Sequence, residues 1–264
     1  MKEIFSNKRY FVDAKWWLKR LPHALQYYTR LYMGRPVEEL VEYMPNPSLP
    51  KVYWGAIGQI PLHGSIYYPP EGRVCMGGEW DRTMTFDLPS IFTEIPKKAK
   101  KWDLHETVRQ IFIYGEDFRM TPQYLSIIDH INKGLPNPPQ GCDTVEKADQ
   151  YFLDLIKAYR SMKLNGYLTQ NELGKSSVEE IRLHVTRDGK LCLGTGGNHR
   201  IRMAEILGIK NVPFIIKGVH PDWVIKLSRT YNLPPHQALR RWLESEFSTT
   251  KPKEITLFSE NFRI

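Results

Sequence analysis

The chain of 264 residues is poor in several things that would otherwise name it. It has three cysteines, Cys75, Cys142 and Cys192, odd in number and far apart, so neither a disulfide framework nor a zinc-ligand spacing follows, and a reducing compartment is the simplest setting. No apolar run reaches the length of a transmembrane helix, and the first residues lack the apolar core of a signal peptide, so a cytoplasmic protein is expected. There are no internal repeats and no low-complexity tract. The phosphate-loop ending Gly-Lys-Ser/Thr is missing, and so is the Gly-x-Gly-x-x-Gly spacing of dinucleotide folds. Acidic residues are also in deficit: 29 Asp and Glu face 37 Lys and Arg, a net charge of +8. That surplus favours anionic partners, among them nucleotides, nucleic acid, phosphosugars and acidic lipid surfaces, without choosing one.

What is present centres on one stretch, Leu191 to Ile216. Leu191 to Leu193 reads as a strand. Gly194, Gly196 and Gly197 then form a turn able to take positive φ and to bring main chain close to a ligand. Asn198 is a suitable helix N-cap; Ile201, Ala204 and Leu207 recur at helical spacing, and Gly208 stops the helix before a second strand from Val212 to Ile216. The unpaired amides and positive dipole of such a helix start suit a phosphate. His199, Arg200 and Arg202 add donors, arginine being suited to bidentate phosphate contact. The alternative is a tight structural turn whose basic residues face water.

These residues resemble the ParB/sulfiredoxin superfamily. Gly197-Asn-His-Arg-Ile-Arg-Met-Ala204 is similar to the ParB box, and Gly196-Gly-Asn-His-Arg200 to the sulfiredoxin box Gly-Gly-Cys-His-Arg. Leu207-Gly208, Val212-Pro213 and, upstream, Ser161-Met-Lys-Leu-Asn-Gly166 fit the same pattern, which covers roughly Tyr151 to Val219. Asn198 replaces the reactive cysteine of one box and the glutamate of the other, so the part retained is the phosphate-cradling half: Gly196, Gly197, His199 and Arg200. The resemblance implies a ParB/sulfiredoxin-like C-terminal core, a small mixed sheet with helices, at 142–225; residue patterning adds an N-terminal α+β region at 1–135 and a helical tail at 226–264, an α+β fold in all. The proline-rich stretch Gly134 to Gly141 reads as the linker.

A second grouping, Gly77-Gly-Glu-Trp-Asp81, sets two carboxylates around a tryptophan. Glu79 and Asp81 are candidate ligands for Mg²⁺ on a phosphate, or general bases towards a hydroxyl, with His199 as a third catalytic candidate. Alternatively the carboxylates cap a helix or pair with Arg82. The Gly-Gly-x-Trp-Asp pattern is similar to one upstream of ParB-like boxes in relatives associated with surface-glycan gene sets. His220 and Asp222, in a polar loop after Val219, are further candidates, and the basic, aromatic stretch 1–35 reads as two short packed helices. Together these lead to one expectation: Gly196, Gly197, Asn198, His199, Arg200 and Arg202 hold the phosphates of ATP or CTP with Mg²⁺. The protein then moves a phosphoryl group to a small hydroxylated or glycan-related acceptor. The competing expectation is a ParB-like DNA-binding protein or nuclease.

Overall fold

The computed structural model describes residues 51–64, 80–83, 85–95 and 103–252. The stretch 1–35 and Glu79 lie outside these residues.

In chain order the described elements are β1 (Tyr53–Ala56), β2 (Leu62–Gly64), α1 (Trp80–Thr83), β3 (Thr85–Asp87), α2 (Asp103–Phe112), α3 (Pro122–Asn132), α4 (Val145–Asn165), β4 (Ile181–Val185), β5 (Leu191–Leu193), α5 (Asn198–Ile206), β6 (Asn211–Val219), α6 (Pro221–Tyr231) and α7 (Pro235–Glu246). The architecture is mixed α+β. One six-stranded sheet runs in the order β1-β6-β4-β5-β2-β3. β6 pairs parallel with β4 and β5 parallel with β2, while β1–β6, β4–β5 and β2–β3 are antiparallel.

Local sequence accounts for most of these elements. Thr144 caps α4, its side chain accepting from the Lys147 amide at 3.3 Å, and Gly166 at φ +68° ends the helix. Along α4, Phe152 and Leu155 recur at helical spacing on the buried side, with Phe152 stacked on Phe118 at 5.3 Å. β6 is buried without a break from Val212 to Ile216, which is why that part reads as a continuous apolar run rather than an alternating one. The hairpin between β4 and β5 turns at Gly189, φ +84°, where an added Cβ would lie 2.5 Å from the Trp223 ring.

Two expectations change. The stretch Gly134–Gly141 does not separate two folded units: it joins α3 to α4, while β1, β2 and β3 from before it enter the same sheet as β4, β5 and β6 from after it. β5, three residues long, is hydrogen-bonded on one side to a strand more than a hundred residues upstream. The polar loop expected at His220 is also different. His220 is the N-cap of α6, 3% exposed, and its Nδ1 accepts from the Asp222 amide at 3.1 Å.

Because the two halves share one sheet, unfolding of the full chain should be one cooperative transition. Far-ultraviolet circular dichroism and tryptophan fluorescence followed through denaturant should give coincident midpoints. Two separated transitions would mean that the halves fold independently.

Candidate functional site

The candidate site is the exit from β5. After Leu193 the chain turns through Gly194, Gly196 (φ +112°) and Gly197 (φ +82°) into α5. Each glycine is there because β4 is so close. A Cβ at Gly194 would meet the His184 ring at 2.7 Å, one at Gly196 the Arg182 side chain at 3.1 Å, and one at Gly197 the Ile181 Cα at 2.7 Å. The turn is thus pressed along the first residues of β4, and two main-chain bonds fix it there: Gly194 N–H to Arg182 O at 3.0 Å, and Arg182 N–H to Gly196 O at 3.3 Å.

The N-cap of α5 is Gly197, not Asn198, and no side chain caps the helix. The first bond back into the turn is the Ile201 amide to Gly197 O at 3.0 Å. By helix geometry the amides of Asn198, His199 and Arg200 therefore lack an acceptor within the helix. Asn198 cannot serve as a cap because its amide is used elsewhere. Nδ2 donates to Gly194 O at 3.0 Å, and Oδ1 lies 3.0 Å from Nε2 of His63. His63 stands opposite Leu193 in the parallel β2–β5 register and stacks on Phe86 at 5.1 Å. Since Oδ1 can only accept, His63 is the Nε2–H tautomer, and its buried Nδ1 has no hydrogen-bond partner. Burial lowers its pKa; the bond to Asn198 works the other way, and the charge of Arg202 adds to the lowering.

The basic residues of the box do not converge on the turn. His199 lies between α3 and α4, with Nε2 at 2.9 Å from Gln123 Oε1 and Nδ1 at 3.3 Å from the Tyr151 hydroxyl. Burial, and then the charge of Arg200, push its pKa down to about 4, so it is neutral at physiological pH with both nitrogens engaged. Arg202, its side chain 5% exposed, donates to Pro89 O at 2.6 Å and to Glu205 Oε2 at 3.0 Å. Glu205 Oε1 in turn accepts from Ser90 Oγ and the Ile91 amide, both at 2.9 Å. Arg202 therefore ties the 89–91 segment to α5. Arg200 turns to the residues just before β4: one nitrogen donates to Glu179 O, and Nη1 lies 3.5 Å from Glu180 Oε2. The cation lying against the glycines is one that the sequence did not single out, Arg182, whose Nε donates to Val178 O at 3.0 Å.

Asp81 is placed elsewhere. Its carboxylate, 3% exposed, takes Arg187 in a fork, with Nη2 at 2.7 Å and Nε at 3.0 Å, and it accepts the Arg187 amide at 2.8 Å. Burial alone would raise the Asp81 pKa, but the hydrogen bonds and charge of Arg187 bring it below the usual carboxylate range. Pairing with an arginine was the structural alternative for this carboxylate; the partner is Arg187 rather than Arg82. Arg187 follows the far end of β4, whereas Gly197 packs on Ile181 at the near end, about 13 Å away along the strand. Between them lies His184, packed against Gly194 and in edge contact with Trp80 at 6.2 Å. Among the described residues, no group of three or more His, Cys, Asp or Glu side chains is arranged to hold a metal ion, and no helix is long and apolar enough to cross a membrane.

Family models, curated proteins and solved structures hold no match to this chain.

His63 and Arg182 carry no local mark in the sequence. They become neighbours of the turn only through strand pairing, β2 with β5 and β4 with β5. Glu180 stands immediately before β4 and has no mark of its own in the sequence. It is fully buried, with Oε1 accepting the Gln170 amide at 2.5 Å, and burial pushes its pKa up to about 7 against the opposing pull of that amide and of Arg200.

A carboxyl raised on folding makes the folded state prefer the proton. Its contribution is fully present below the ordinary value near 4.5 and is lost as pH rises through about 7, a change on the order of 3 kcal/mol. Glu180→Gln, neutral at every pH, should therefore gain about that much stability relative to the parent between pH 5 and pH 8, read from paired denaturant titrations. A difference that does not vary with pH would contradict the assignment.

Proposed function

We propose that this chain is a ParB/sulfiredoxin-like phosphate-binding protein that takes a nucleotide at the turn Gly196–Arg200. The observation that carries the reading is the uncapped start of α5. Gly197 as N-cap has no side chain to offer, Asn198 is held away by Gly194 and His63, and the first-turn amides are left for an anion. Gly196 and Gly197 let main chain rather than side chains form the floor of the turn, and Arg182 lies along Gly196. The donors in this reading are main-chain amides, with Arg182 as the adjacent cation. His199 and Arg202 support α5 from behind.

Phosphoryl transfer from that nucleotide to a small hydroxylated or glycan-related acceptor is the reaction these residue types suit, because it needs chiefly positioning and charge neutralisation. The geometry supports binding further than it supports transfer, since Asp81 is committed to Arg187 and so is not available as a magnesium ligand.

Isothermal titration of the full chain with ATP and with CTP, each with and without Mg²⁺, tests the reading. Binding should be seen, and Arg182→Ala should weaken it about tenfold, equivalent to about 1.4 kcal/mol. Absence of binding to both nucleotides, or undiminished affinity in a folded Arg182→Ala protein, would contradict it.

One observation favours the competing reading, a DNA-binding protein. α6 and α7 are joined by three residues, Asn232 to Pro234, with Asn232 left-handed at φ +51°. That connection has the length of a helix-turn-helix. α7 exposes His236, Gln237, Arg240 and Arg241, although Arg240 pairs with Glu244 at 3.0 Å and Arg241 lies over the Tyr231 ring at 4.9 Å. If this helix meets a groove, fluorescence anisotropy with a random-sequence duplex should show binding that falls steeply with salt and is lost in an Arg240→Ala, Arg241→Ala double variant. A flat titration at low salt removes it.

A further inference from the structure

Glu180 and Arg200 meet under unusual terms. The carboxylate is fully buried where the chain enters β4, and one of its oxygens is fixed by the Gln170 amide at 2.5 Å. The other oxygen has only a long contact, 3.5 Å, to a guanidinium that is itself 21% exposed and sits on the first turn of α5. The second hold on that guanidinium is a neutral one, the carbonyl of Glu179.

The charges around the pair make the balance close. From the segment between α4 and β4, Glu172 adds negative charge to Glu180, and Tyr167, 2% exposed, closes the pocket with a phenol whose pKa burial raises. From the C-terminal segment, Lys251 donates to Tyr167 O at 2.9 Å and offsets Glu172. From α5 the facing charge is Arg200 itself. A buried carboxylate with one long-range counter-ion is costly to keep ionised, and the Gln170 amide and then the charge of Arg200 are what favour the ionised form.

We propose that Glu180 is a proton-operated latch on Arg200. Ionised, it holds the guanidinium at the entry to β4; on taking up a proton it gives up the charge pair and leaves Arg200 with only neutral neighbours, the Glu179 carbonyl and the Tyr167 phenol, free to swing towards an anion at the start of α5. The proton comes from solvent and goes to Oε2, the oxygen that Arg200 vacates. Glu180 is on this account a positioning residue for Arg200, and any anion that draws Arg200 away should bring a proton into Glu180.

The latch itself stands without the nucleotide reading; only the effect of an added anion rests on it. In the full chain, the Glu180 side-chain carboxyl carbon and the Arg200 Nε–H resonance are followed by nuclear magnetic resonance from pH 5 to pH 9. The carboxyl should titrate near neutrality, Arg200 should shift with the same midpoint, and Glu180→Gln should hold Arg200 at its low-pH position throughout. A Glu180 carboxyl that stays ionised down to pH 5, or one that titrates while Arg200 does not move, overturns the proposal. Adding ATP should raise the shared midpoint. If ATP binds and the midpoint stays where it was, the coupling is wrong. If ATP does not bind at all, the latch stands or falls on the ligand-free titration, and the nucleotide reading alone is lost.

Discussion

The turn between β5 and α5 depends on a contact with no room in it. Gly194, Gly196 and Gly197 run along His184, Arg182 and Ile181 so closely that a single methyl group at any of the three would force a neighbour to move. Two of the three also have φ in the left-handed region. From this one constraint the rest follows. The chain can leave β5 and start a helix immediately, the helix begins on a residue without a side chain, and β4 supplies what lies next to the helix start. Glycine is thus required first by packing and backbone conformation. The open amides are a consequence of that requirement, and the proposed anion site is built on them.

A net charge of +8 suggests a strongly positive pocket, yet the arginines near the turn are largely answered by the chain itself. Near the turn Arg202 is neutralised by Glu205 and Arg200 by Glu180, and at the far end of β4 Arg187 is neutralised by Asp81. These pairs differ in kind. Arg187–Asp81 is a fork with an added main-chain bond, and breaking such a buried pair from one side costs about 3–5 kcal/mol. Arg200–Glu180 is a single long contact to a carboxylate that burial disfavours. The first is an anchor between α1 and the end of β4. The second is the weaker hold, a 3.5 Å contact from a guanidinium 21% exposed, and it is the contact on which the latch proposal turns.

Much of the local structure was legible because local chemistry determines it. Thr144 and Gly166 bound α4, the apolar spacing of Phe152 and Leu155 faces its buried side, and Gly189 marks the hairpin. The strand, glycine turn and helix around Gly197 also fall where the spacing puts them, except that the N-cap is Gly197 rather than Asn198. What the spacing could not carry is long-range pairing. Nothing near His63 announces that β2 will lie parallel to β5, and nothing in Thr85–Asp87 announces an edge strand. With those pairings unseen, the proline-rich stretch looked like a domain boundary. The roles of charged residues were illegible for a related reason. His199, Arg200, Arg202 and Asp81 are residue types that suit phosphate and magnesium, but each is also a type that a core can use once a partner arrives from a distant element. Gln123, Glu180, the Pro89 carbonyl and Arg187 are those partners.

The most direct test is where an anion touches the main chain. In a backbone-assigned spectrum of the full chain, titration with ATP should shift the amide resonances of Gly196, Gly197, Asn198, His199 and Arg200 together and to a common saturation point, and leave those of Arg187 to Gly189 at the other end of β4 in place. Saturable shifts elsewhere with these five amides unmoved would contradict the claim that the start of α5 is the binding site.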